Sequence, residues 1–162
     1  MGDFAAGKML KDVAPRGEII EDDIKQCFTD IESALAAKAP DLLKALQDKG
    51  PASKDDACGL LPALAAVAWQ MRDGGLVIHD HRLLSLKEIA TIAVPEGFVA
   101  IGKDADDGLI MLDKSSGGVY ELADGSQGRQ VAESFGLFLE QFRDKLLSSK
   151  LEWANGTWAA LS

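Results

Sequence analysis

Three short apolar runs separated by tight turns constrain this chain more than any other feature. Residues 98–102 (Phe-Val-Ala-Ile-Gly), 109–113 (Leu-Ile-Met-Leu-Asp) and 118–122 (Gly-Val-Tyr-Glu-Leu) carry β-branched and aromatic side chains over strand-like lengths. Between them lie only the acidic turn Lys103-Asp-Ala-Asp-Asp-Gly108 and the turn Ser115-Ser-Gly-Gly118. Connections this short leave no room for a crossover, so the three strands must be antiparallel neighbours. Ala123-Asp-Gly-Ser126 makes a further turn. Ser134 then caps a last long helix, whose Phe135, Phe138, Leu139, Phe142, Leu146 and Leu147 form a stripe wide enough to cover one face of a sheet.

The first half of the chain has a different period. Ile20, Ile24, Cys27, Phe28, Ile31 and Leu35 fall on one helical stripe that Pro40 ends, and Leu42, Leu43 and Leu46 begin a short second helix that Gly50-Pro51 stops. Ser53-Lys-Asp-Asp56 has the spacing of a capping box, which predicts a third helix from Lys54 with Cys58, Leu60 and Leu61 turned inward. Pro62 suits the first position of a fourth helix running to Met71, because that position needs no N–H. Asp73-Gly74-Gly75 closes the helical half. Leu76–His79 is an expected strand, and Ser85-Leu-Lys-Glu88 is a second capping box opening a short helix to about Ala93. The tail places Asn155-Gly156 between Trp153 and Trp158, a hairpin signal. Residues 1–18 show no sustained period and are expected to form a mobile leader ahead of a single domain over 19–162. These elements predict an α+β fold: N-terminal helices on an antiparallel sheet of about four to six strands, followed by a long C-terminal helix.

Charge narrows the partners. Seventeen basic against twenty-six acidic residues leave a net charge of −9, which repels a phosphate backbone and favours a basic protein as partner. No apolar run approaches the roughly 20 residues that span a bilayer, and the first twenty residues lack the apolar segment of a secretory signal, so a cytoplasmic location with no membrane partner is expected. Cys27 and Cys58 form no C-x-x-C pair and are expected as reduced, packed thiols.

Several patterns resemble chemistry and fall short of it. Gly97-Phe-Val-Ala-Ile-Gly102-Lys103 has phosphate-loop spacing, but Asp104 stands where the metal-bound hydroxyl belongs, and Phe-Val-Ala-Ile is a strand. His79 and His81 supply two imidazoles, whereas a structural zinc site needs four ligands and a catalytic one three. The turn at Asp104, Asp106 and Asp107 fails as a calcium loop because Gly108 occupies the next ligand position and Ser115 the place of the closing glutamate. No Gly-x-Ser-x-Gly is present, and neither cysteine has a context that lowers its pKa. The residues therefore predict no enzyme activity, no cofactor, no metal and no small-molecule substrate.

The order of the soft signals is more specific than any one of them. The joint Gly50-Pro51-Ala52-Ser53, Leu61-Pro62, the stop Asp73-Gly74-Gly75, the segment Leu83-Leu84-Ser85-Leu86-Lys87-Glu88-Ile89, the strand-turn-strand from Phe98 to Asp113, Gly118-Val-Tyr120 and Ala132-Glu-Ser-Phe135 follow one another as in the SUKH superfamily, which this chain resembles over about three-quarters of its length. The resemblance implies helices packed on a strongly bent antiparallel sheet. It also implies a binding module of the bacterial immunity-protein type, neutralising a cognate toxin by occlusion; a toxin that cuts nucleic acid would offer a basic cleft. The alternative is an intracellular regulatory or scaffolding module that binds another protein. The expected contact surface lies on the sheet-side loops. Asp104, Asp106 and Asp107 share one turn while Asp113 and Asp124 bound neighbouring turns, gathering up to five carboxylates along one edge, with His79 and His81 in an adjoining loop.

Overall fold

The computed structural model describes residues 20–161; the leader expected over residues 1–18 lies outside the described residues. Four helices come first: α1 (Glu21–Lys38), α2 (Pro40–Lys49), α3 (Lys54–Leu60) and α4 (Ala63–Met71). There follow β1 (Val77–Ile78), β2 (His81–Leu83), α5 (Leu86–Ile89), β3 (Phe98–Lys103), β4 (Leu109–Asp113), β5 (Val119–Ala123), β6 (Ser126–Ala132), α6 (Phe135–Leu147), β7 (Leu151–Ala154) and β8 (Thr157–Ala160). Strands β1 to β6 form one sheet in chain order, every pair antiparallel, and β7–β8 form a separate two-stranded hairpin.

Local signals in the sequence account for most helix ends. The Ser53 hydroxyl accepts the Asp56 N–H at 3.1 Å, and the Ser134 hydroxyl accepts the Leu137 N–H at 3.1 Å. At α5 the capping box is reciprocal: Ser85 Oγ accepts the Glu88 N–H at 3.2 Å while the Glu88 carboxylate accepts the Ser85 N–H at 3.0 Å. Each such cap stabilises its helix by about 1 kcal/mol.

The apolar stripe of α1 buries Ile24, Cys27, Phe28, Ile31 and Leu35, and the helix packs on α4 and α6. Together with Val99, Ile101, Ile110, Leu112 and Val119 of the sheet these residues form one hydrophobic core. Burying each large side chain contributes about 1.5–3 kcal/mol. Hydrogen bonds tie the helices to the sheet at their joint. The Trp69 indole N–H donates to the Leu84 carbonyl at 2.7 Å, the Leu84 N–H donates to the Ile101 carbonyl at 2.9 Å, and the Asp73 carboxylate accepts the Leu86 N–H at 2.8 Å. Gly74 sits against this crossing at φ 78°, and a Cβ there would stand 2.6 Å from the Leu84 carbonyl carbon. On the opposite face, register places Ala100, Met111 and Tyr120 side by side, and the Phe98 and Tyr120 rings meet edge-on with centroids 6.0 Å apart.

The α+β architecture and the antiparallel sheet agree with the sequence reading, and four details correct it. The last helix is not long: α6 has 13 residues against 18 in α1, and a hairpin follows it because Ser148 and Ser149 end the stripe. Leu147 belongs to no packed stripe, being 59% exposed. Strand β6 went unpredicted because Ser126-Gln-Gly-Arg-Gln130 carries no apolar alternation; it pairs through its backbone and bulges twice against β5. Cys58 is exposed, since the inward position of α3 is Ala57.

Candidate functional site

An antiparallel meander sends alternate turns to opposite ends of its sheet. Here Arg82 pairs with Lys103 and Lys103 with Leu109, so the β1–β2 and β3–β4 turns leave the same end. The β5–β6 turn joins them two strand spacings away, about 10 Å across the sheet. The terminal hairpin completes this end: its Asn155-Gly156 turn faces Asp80, Arg82, Asp104 and Asp106 across a groove of about 480 Å³.

The acidic turns are built rigidly. Asp104 Oδ1 accepts the N–H groups of Asp106 at 2.9 Å and Gly108 at 2.7 Å, closing an Asx turn around its own carboxylate. That arrangement explains why glycine follows Asp107: a Cβ on residue 108 would lie 2.6 Å from Asp104 Oδ2. Asp107 takes the left-handed conformation at φ 65° and pairs with Lys103 at 3.1 Å. Asp124 (φ 51°) and Gly125 (φ 79°) are both left-handed, as a two-residue hairpin turn requires.

Charge at this end is unevenly spent. Arg82 makes a two-pronged contact with Glu88, both arms at 3.2 Å, and these bonds together with the Ser85 N–H hold the Glu88 carboxyl at about 2. Lys103 is engaged by Asp107. Among the described residues the carboxylates of Asp80, Asp106 and Asp124 take part in no hydrogen bond or ion pair. Exposed, fixed anions beside neutralised cations give this end a surplus of negative charge.

Asp113 does not belong to the cluster. It pairs with Phe98 at the start of β3, at the far end of the ladder from Lys103 and Leu109, so the expected row that includes Asp113 does not line one edge. Its Oδ1 instead accepts the Ser115 N–H and hydroxyl, both at 2.9 Å, and the Ser116 N–H at 3.2 Å, which lowers its pKa. The sequence showed the right residue types, and the parity of the turns decides which of them meet.

The two histidines also part company. His81 Nε2 stands 3.8 Å from Asp104 Oδ2, whereas the His79 ring turns to α6 and meets Phe142 edge-on at 5.5 Å. His79 lies in the β1–β2 turn at φ 55°, not in a strand as its place after Leu76–Ile78 suggested. Among the described residues no three His, Cys, Asp or Glu side chains gather into a set able to hold a metal ion. Burial pushes the Cys27 thiol up to about 12, which makes it a poor nucleophile at neutral pH.

Asp80, Arg82 and Asn155 line the groove; the sequence points to the first two only as part of the His79–Arg82 loop, a second choice of contact surface, and to Asn155 only as a hairpin turn. Asp80 and Arg82 were legible as loop neighbours of the histidines, but nothing local could bring Asn155, more than seventy residues on, to the same groove. At the other end of the sheet a second hollow of about 390 Å³ is lined by Pro62, Leu64, Leu112, Lys114 and Phe135, with Leu64 40% exposed. Among the described residues no helix is long and apolar enough to cross a membrane. No protein-family model matches the chain, and no curated protein matches it.

Proposed function

We propose that this chain is a non-catalytic binding module that offers the acidic turn end of its sheet to a basic surface of a protein partner. In the more specific form of the proposal, the partner is a cognate bacterial toxin, which the module neutralises by occluding its active cleft. One observation carries the reading: three turns bearing Asp80, Asp104, Asp106, Asp107 and Asp124 leave the same end of a rigid sheet. The order of motifs shared with the SUKH superfamily supports the immunity role, and the net charge of −9 supports a basic target. A groove edged by unpaired carboxylates suits the guanidinium and ammonium groups that line nucleic-acid-cutting clefts.

The test begins with co-purification from the native host and mass identification of the partner. Changing Asp80, Asp106, Asp107 and Asp124 together to Asn should leave the melting temperature within a few degrees and weaken binding by about 2 kcal/mol or more where the pairs are desolvated. Unchanged affinity in that variant moves the contact surface off this end. A captured partner that is a resident regulatory protein identifies the scaffolding alternative, and enzymatic turnover of a captured small molecule removes the binding-module reading altogether.

A further inference from the structure

His79 is held by a relay of rings that joins three elements. Its imidazole lies edge-on to Phe142 of α6, with centroids 5.5 Å apart and planes at 74°. Phe142 meets Trp158 of β8 at 5.7 Å and 68°. Trp158 closes the circuit, because its indole N–H donates to the Val77 carbonyl at 2.8 Å, two residues before His79. The hairpin β7–β8 is hydrogen-bonded within itself and lies outside the main sheet, so this relay is a principal fastening of the hairpin to β1. A second is the Trp153 indole N–H, which donates to Asp41 at 3.1 Å on α2. The same hairpin supplies the Asn155-Gly156 wall of the acidic groove.

We infer that the hairpin is a pH-sensitive latch: protonation of His79 drives its ring off Phe142, loosens the Trp158 fastening and opens the acidic groove on the Asn155-Gly156 side. The surroundings oppose a cation at this ring. Burial is the largest influence, Lys145 on α6 and His81 on its own turn add repulsion, and Asp80 alone among the acting charges favours protonation; together they hold the His79 pKa below 6.5. Among the described residues its ring nitrogens find no hydrogen-bond acceptor that would keep an imidazolium in place.

The direction of the effect follows from linkage. The closed form has the lower pKa and the open form titrates near 6.5, so the closed form is favoured above 6.5 and loses ground as pH falls toward its own depressed value. In that window the opening equilibrium rises as pH falls, with a slope that one proton limits to about tenfold per pH unit. The latch works whatever the groove binds, and a partner that needs the closed groove would be released on acidification.

Hydrogen exchange on the full chain tests it, with protection factors for Leu151–Ala160 corrected for intrinsic rates between about pH 8 and 5. Protection in the wild type should fall with acidification while β3 and β4 amides stay protected. Lys145→Gln and, more weakly, His81→Gln each remove a charge that repels the protonated ring, so both should leave more protection at low pH than the wild type keeps. His79→Phe should abolish the pH dependence, and His79→Asn, which tolerates the left-handed turn, should raise opening at every pH and flatten its pH profile. A hairpin equally protected at both ends of the range, or a His79→Asn protein that still loosens on acidification, overturns the latch.

Discussion

Gly74 shows how one missing side chain can hold a fold together. Its Cβ position is already occupied by the backbone of Leu84 and Ser85, at 2.6–2.7 Å, and its φ of 78° disfavours any L side chain. Gly74→Ala should therefore destabilise the protein by about 2–4 kcal/mol, a loss that urea denaturation would measure. Arg82 makes the opposite point about exposed groups. It and Glu88 are each 42% exposed, so at neutral pH Arg82→Gln should cost less than about 1 kcal/mol despite the two-pronged geometry. The carboxyl nevertheless responds clearly. Hydrogen bonds from Arg82 and the Ser85 N–H hold it at about 2 in place of 4.5, so its contribution to stability is present above 4.5 and lost as pH falls through 2. In the variant the Glu88 pKa should rise toward 4.5, as a side-chain NMR titration would record.

Elements differ in how openly the sequence announces them. Helices α1, α3, α5 and α6 were legible because their caps and stripes are local, as were β3, β4 and β5, whose turns are short enough to force antiparallel pairing. The terminal hairpin was legible from Asn155-Gly156, whose φ values of 57° and 79° are those the turn demands. Strand β6 was not, because an edge strand with polar residues on both faces has no period to read. The candidate site was half legible: the acidic turns stand out in sequence, but the exclusion of Asp113 depends on which end each turn leaves, and the Asn155 wall depends on where the hairpin docks. Docking rests on Trp158, which is buried and hydrogen-bonded to Val77. Trp158→Ala should cost about 3–5 kcal/mol in global stability, or release the hairpin alone if the rest of the core stands without it. Comparing fluorescence of the remaining tryptophans with far-ultraviolet circular dichroism through the melt distinguishes the two.

For the whole molecule, charge and topology set the behaviour. With a net charge of −9 and acidic turns at one end of its sheet, association with a basic partner should be steered, and stopped-flow rates should fall markedly as salt rises to physiological strength. A salt-independent rate would remove steering. Topology governs a different property. Because the six strands are ordered as they occur in the chain, each pairing among β3, β4 and β5 closes only a small loop, whereas α1 must find α6 roughly a hundred residues away. Closing a large loop costs more entropy before any contact rewards it, so the meander should zip first and the helical layer should arrive on a sheet that already exists. Pulse labelling during refolding would then find β3–β5 amides protected ahead of those in α1, and the rate of folding would be set by the docking of the N-terminal helices onto a preformed face.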